Sequence, residues 1–96
     1  MKEEGTLEFE WDDEKNRYNI NTHGISFKAA KLVFKDINAI LYEDPKNSIT
    51  ENREGIVGMI HNKLWFVCFT RRNGRIRIIS ARKANKIERT DYYDNL

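Results

Sequence analysis

Between Arg53 and Arg82 three strand-like runs follow one another with almost no chain to spare. They are Arg53 to Ile60, Leu64 to Thr70 and Arg75 to Arg82, joined only by His61-Asn62-Lys63 and by Arg72-Asn73-Gly74. Connections this short close hairpins and cannot carry a parallel crossover, so the three runs form an antiparallel meander. Asn73-Gly74 is the strongest of these signals, because the favoured two-residue turn needs left-handed backbone at both central positions. A further strand, Ala39 to Tyr42, precedes the meander across one longer polar loop that contains Pro45 and runs to Asn52.

The chain ahead of the meander reads differently. Thr6 to Trp11 alternates apolar Leu7, Phe9 and Trp11 with polar partners, the period of a half-buried strand. Asp12 is a helix N-cap followed by Asp13 and Glu14, where the helix dipole favours negative charge. That helix runs to about Thr22 with Tyr18 and Ile20 as its only large apolar residues, and His23-Gly24 ends it. Ser26 opens a second helix with Phe27, Ala30, Leu32, Val33 and Phe34 broadly on one face and Lys28, Lys31 and Lys35 on the other. From Ala84 a last helix forms, with Ile87 and Tyr92 packing inward and Asp94 to Leu96 fraying. The order is strand, two helices, four antiparallel strands, helix, an α+β class in which the helices gather mainly on one face of the sheet.

Ninety-six residues suit one domain, with residues 7–93 folded and residues 1–6 a flexible tail. The longest apolar run, Leu64 to Phe69, is far too short to cross a bilayer, and Met1 to Gly5 is acidic, unlike a signal peptide. A soluble, cytoplasmic protein is expected. Cys68 is the single cysteine, which excludes an internal disulfide and a paired-thiolate zinc site, and its neighbours Val67 and Phe69 mark it as a small core residue. There is no glycine-rich phosphate loop, no His/Glu metal helix and no nucleophile elbow. No cofactor is expected.

A net charge of +2 conceals a dipolar chain. From Met1 to Glu14 Lys2 faces seven acidic residues; from Arg71 to Arg89 eight basic residues face Glu88 alone. Such blocks are either solvated faces or, where arginine dominates a folded segment, the footprint of a polyanion site.

Three blocks carry a family resemblance. Phe9-Glu10-Trp11-Asp12 with Lys15 following, His23-Gly24-Ile25-Ser26-Phe27, and the run Gly74-Arg75-Ile76-Arg77-Ile78-Ile79-Ser80-Ala81-Arg82-Lys83-Ala84 resemble the BrnT toxin family, in the family's order and over Leu7 to about Tyr92. The last block is the most specific. The resemblance implies a type II toxin of the RelE-like ribonuclease group. It also implies that fold: a leading strand and two helices, then an antiparallel four-strand meander and a C-terminal helix. The partner it implies is a small BrnA-like antitoxin with a DNA-binding part, which forms a hetero-oligomer with the toxin and silences it. Two departures stand out: Met1 to Thr6 extends past the usual start, and Glu54-Gly55, after a matching Glu51-Asn52-Arg53, replaces bulkier residues and alters local strand packing.

Metal-free RNA cleavage needs a base for the ribose 2′-hydroxyl, cations for the phosphorane and an acid for the leaving oxygen. Arginine suits the second role because its planar fork binds two phosphate oxygens and stays charged. Arg77 and Arg82 are the first choices. Their odd separation puts them on opposite faces of an ideal strand, so either a bulge lies near Ser80 or one sits past the strand end. Glu51 is the candidate base and His23 the candidate acid, although a carboxylate among arginines also reads as an ion pair and a histidine beside a capping glycine as a helix-end residue. Arg53, Thr70, Arg72, Arg75, Ser80, Lys83 and Tyr92 are candidate RNA contacts. Arg75 alone reads first as a solvated charge, and Tyr92 or Tyr93 as a filler beneath the last helix. The alternative class is a non-catalytic binding module whose basic sheet face holds an acidic protein partner or nucleic acid. Turnover separates the two.

Overall fold

The computed structural model describes residues 7–43 and 52–96. It is α+β. Strands β1 (Phe9–Glu10), β2 (Ile40–Glu43), β3 (Arg53–Ile60), β4 (Lys63–Arg72) and β5 (Arg75–Lys83) form one sheet in the order β1-β5-β4-β3-β2. The β2 to β5 pairings are antiparallel, as the short joints require, and Asn73 and Gly74 have φ of 54° and 77°, the turn their dipeptide predicts. The leading strand is only two residues long and joins β5 in parallel, so the sheet is mixed.

Helix α1 (Asp13–His23) begins where expected. Asp12 accepts the Lys15 N–H at 2.9 Å, and Gly24, at φ 76°, donates back to Ile20 O. Its packing differs from the apolar reading. Tyr18 and Ile20 are exposed, and the residue turned inward is Asn19. The Asn19 amide donates to Ala81 O (2.9 Å) and Ile25 O (3.0 Å) and accepts from Ala81 N–H (3.0 Å). It thereby completes the β5 edge where β1 has already stopped, because a buried strand edge left unpaired is costly.

The second helix is also shorter than its pattern suggests. Helix α2 (Phe27–Ala30), capped by Ser26, tightens at once into a 3-10 segment, Lys31–Lys35. The tighter winding lines up Phe27, Ala30 and Val33, all fully buried, and leaves Leu32 at the surface. These three meet Trp65, Val67, Phe69, Ile76, Ile78 and Ala81 in the larger core. Val33 comes so close to β3 that a Cβ at Gly58 would lie 2.9 Å from its own Cβ.

Helix α3 (Lys86–Asp94) lies on the opposite face, where its Tyr92 packs with Val57, Leu64 and Ala84. Helices therefore cover both faces, two on one side and α3 over part of the other. Ile87, expected inward, is 72% exposed; Tyr92 takes the inward position. The Tyr92 hydroxyl donates to Asp36 Oδ2 at 2.6 Å and the Tyr42 hydroxyl to Asp91 Oδ2 at 2.8 Å. Burial first, then these carboxylates, push both tyrosines up to about 12. Burial works most strongly against the charge of Asp36, but hydrogen bonds from Tyr92, Met59 N–H and Asn38 N–H together hold its carboxyl below the ordinary value.

Candidate active site

The parity problem of Arg77 and Arg82 is resolved within β5. Cys68 stands opposite Ser80 and Phe69 opposite Ile78, which leaves Ile79 as the extra residue of a β-bulge. Ile76, Ile78 and Ala81 then face the larger core, while Arg75, Arg77, Ser80 and Arg82 share the other face. Of the two alternatives, a bulge near Ser80 or an arginine past the strand end, the structure has the bulge.

Register makes this face a set of transverse rows, since paired residues point to the same side. The central row runs Glu10, Arg77, Thr70, Arg53 across β1, β5, β4 and β3. Beside it lie Arg72 and Arg75, at the open hairpin end. On its other side come Ser80, Cys68 and Gly55, then Arg82, Phe66 and Val57 under α3. A Cβ at Gly55 would run into the Phe66 ring. Glycine at that position leaves the space the Phe66 ring occupies.

The arginines have different attachments. Arg77 Nη1 donates to Glu10 Oε2 at 3.2 Å, both side chains about one-third exposed. Arg75 Nε donates to Glu8 Oε1 at 3.1 Å in a more open pair. Arg82 is gripped with both terminal nitrogens by Glu88 of α3, at 2.9 and 3.0 Å, and its guanidinium stacks 4.3 Å from the Phe66 ring centroid. Glu88 also accepts the Asn85 N–H, closing a capping box, so the Arg82 contact fastens the start of α3 to β5. Arg71 pairs with Glu54 in the same two-pronged way, and that carboxylate holds its guanidinium above its ordinary pKa.

The remaining sequence candidates divide clearly. Arg53 and Thr70 join Arg77 in the central row; Thr70 is buried, and its hydroxyl donates to Asn52 O at 2.7 Å. Arg72 and Arg75 flank that row, and Ser80 lies one row further on. Lys83 is exposed at the far end of β5. Tyr92 does not reach this surface: at 3% exposure, with its hydroxyl on Asp36, its ring has no open face for a base. His23 ends α1, exposed, with no hydrogen bond or ion pair to Arg77 or Arg82 among the described residues. Glu51 lies outside the described residues.

The residue sequence reasoning passed over is Glu10. Its signal was present in two halves, an acidic N-terminal block and a basic C-terminal one, but only the parallel docking of β1 on β5 joins them. Glu8 and Glu10 belong to the negative block and Arg75 and Arg77 to the positive one. A carboxylate one hydrogen bond from an arginine, with a second arginine and an exposed arginine pair nearby, is an arrangement that takes a proton and holds phosphate oxygens together.

A family model described as ribonuclease toxin, BrnT, of type II toxin-antitoxin system matches residues 11–88, most of the chain. No curated protein matches it.

Proposed function

Since the chain belongs to the BrnT family of ribonuclease toxins of type II toxin-antitoxin systems, we propose that the row Glu10, Arg77, Thr70, Arg53 is where it cuts RNA. The observation that carries this is the Glu10–Arg77 contact on an open face, flanked by Arg72 and Arg75. Glu10 takes the proton of the ribose 2′-hydroxyl; the 2′ oxygen bonds to the adjacent phosphorus, and the bond to the 5′ oxygen breaks. Arg77 moves from Glu10 onto the phosphorane oxygens, with Arg53 approaching from the other side of Thr70. The leaving 5′ oxygen takes its proton from solvent at this open face. The products are a 2′,3′-cyclic phosphate and a 5′-hydroxyl.

Arg82 serves by position. It holds α3 against β5 and bounds the RNA face beside Ser80. The substrate is messenger RNA in the cytoplasm, cut in the manner of the RelE-like group, and translation stops as messages are lost. A type II toxin has a protein antitoxin. Here we infer a small BrnA-like protein whose DNA-binding part stays outside the contact, and which displaces Glu8 and Glu10 to bury Arg75 and Arg77.

Growth arrest on induced expression and cleavage of RNA by purified protein test the reading together. Arg77→Ala and Glu10→Gln relieve the arrest and leave RNA intact with the fold preserved, and wild-type cleavage persists in a chelator. Cleavage undiminished in both variants places the chemistry elsewhere.

A further inference from the structure

The two edges of the sheet are finished differently. At one, β1 is only two residues long, and Glu8 and Glu10 are paired with Arg75 and Arg77, so shortness and charge discourage any further strand. At the other, β2 presents Ile40-Leu41-Tyr42-Glu43, and among the described residues nothing pairs with its outer side. From within, β2 is firmly held. It is in register with β3 at all four positions, and the Tyr42 hydroxyl is fixed on Asp91. Just ahead of it, Asp36 accepts the N–H groups of Asn38 (2.9 Å) and Met59 (2.8 Å). The outer side is therefore a preformed template for a further strand. Charge and proline, the devices that usually blunt such an edge, are missing from Ile40 to Tyr42.

Leu41 and Glu43 stand opposite Ile56 and Glu54, so both point to the side of the larger core. Leu41 is nevertheless 57% exposed, and Ile37, just before the strand, 95%. Glu43 is exposed beside a like charge: Glu54 is already held by Arg71, and Glu43 has no hydrogen bond or ion pair among the described residues. Carboxylates directly opposite one another repel, and a cation brought from outside relieves them. The edge therefore suits an extended segment with an apolar side chain against Leu41 and, two residues away, a basic one against Glu43. A second copy of this chain fits less well. A two-fold pairing of β2 with itself that keeps both core faces on one side matches residues of like parity, so Glu43 meets Ala39, Leu41 or its own counterpart and never a cation. The family supplies another protein partner, the antitoxin. We propose that the free edge of β2 is an antitoxin dock, at which one segment of the antitoxin joins the sheet as a further strand, its apolar residue on Leu41 and a lysine or arginine on Glu43. This needs the antitoxin that the family implies and does not depend on where RNA is cut.

Leu41 and Glu43 are exposed, so replacing them spares the core. The test measures binding of the full chain to purified antitoxin from the adjacent reading frame, for wild type, Leu41→Lys and Glu43→Lys, with RNA cleavage and melting temperature followed alongside. Leu41→Lys binds the antitoxin at least about 10-fold more weakly. Glu43→Lys binds about 5-fold more weakly, a deficit that shrinks as salt rises. Both variants cut RNA and melt like wild type. Hydrogen exchange of the wild-type chain needs no variant: amides within residues 40–43 slow when the antitoxin is added. Unchanged affinity in Leu41→Lys, or no slowing in β2, overturns the dock while leaving the Arg77 row untouched. Slowing that appears as the chain alone is concentrated also overturns it, since a second copy then fills the edge. Unchanged affinity in Glu43→Lys alone overturns the basic residue assigned to the docked segment. Cleavage that survives Arg77→Ala defeats the proposed cleavage row and leaves the dock standing.

Discussion

The two ends of β5 carry the same residue type on the same face and use it in opposite ways. At one end Arg75 and Arg77 each hold a carboxylate through a single bond, the Arg75 pair open to water and the Arg77 pair partly buried. At the other, Arg82 is held by two bonds to a nearly buried carboxylate and stacked on an aromatic ring. An arginine held by one solvent-accessible bond exchanges its partner for a phosphate at less cost than one held by two, and fully exposed pairs are worth about 1 kcal/mol or less. One held in a fork over a ring gives up far more to move. Arginine content alone does not distinguish a catalytic strand from a structural one; the number of bonds already satisfied does.

The comparison is broken most sharply at Arg77. Arg77→Ala should lower RNA cleavage about 10²- to 10³-fold, the usual loss when a cation aimed at transition-state charge is removed, with the melting temperature nearly unchanged. The reverse pattern, lost stability and kept activity, would assign Arg77 to the structural group. At the other end, Asn19→Ala strands the N–H and C=O of Ala81 and the Ile25 carbonyl in the interior. Denaturant unfolding should show a loss of about 3 kcal/mol. Arg82→Ala should cost about 1–2 kcal/mol, tempered by its partial exposure, and loosen α3 in hydrogen exchange. Any fall in cleavage should follow the unfolded fraction and be restored when the antitoxin or low temperature holds the fold. A cleavage defect in fully folded Arg82→Ala would move Arg82 into the reacting group.

The smallest effect concerns the anchors of α3. Tyr42 and Tyr92 keep their protons up to about 12, whereas the unfolded chain releases them near 10. Their contribution is complete below about pH 10 and is lost as pH rises through about 12. Helical circular dichroism should therefore fall over that window, and Tyr92→Phe should lessen the dependence; an unchanged alkaline profile in Tyr92→Phe would show that α3 is not held there.

Much of this was legible because it was local. The Asn73-Gly74 turn, the Asp12 cap and the Gly24 stop each follow from a few neighbouring residues. The bulge at Ile79 was legible in part, as one of two ways to reconcile the odd separation of Arg77 and Arg82, the other being an arginine past the strand end. What stayed hidden depended on residues far apart in the chain. Asn19 is buried, in place of Tyr18 and Ile20, because a strand edge 62 residues away needs an amide, and no apolar period encodes that. Helix α2 gives way to a 3-10 segment in which Val33 packs closely on Gly58 of β3, a contact between distant parts of the chain that the helical pattern does not encode. Glu10 went unread as a site residue because its partner lies across the parallel pairing of β1 with β5, 67 residues on. Of the two α3 residues expected inward, Tyr92 is buried with its hydroxyl on Asp36, 56 residues earlier, and Ile87 is exposed.

The most direct measurement is a side-by-side cleavage assay of purified, demonstrably folded wild type, Arg77→Ala and Arg77→Lys on one RNA, with the product ends identified. The expected result is cyclic-phosphate ends from wild type, no detectable cutting by Arg77→Ala and only partial recovery in Arg77→Lys, since a lysine keeps the charge but loses the fork. Folded Arg77→Ala that cuts at the wild-type rate, or wild-type products ending in a 3′-hydroxyl, would contradict it.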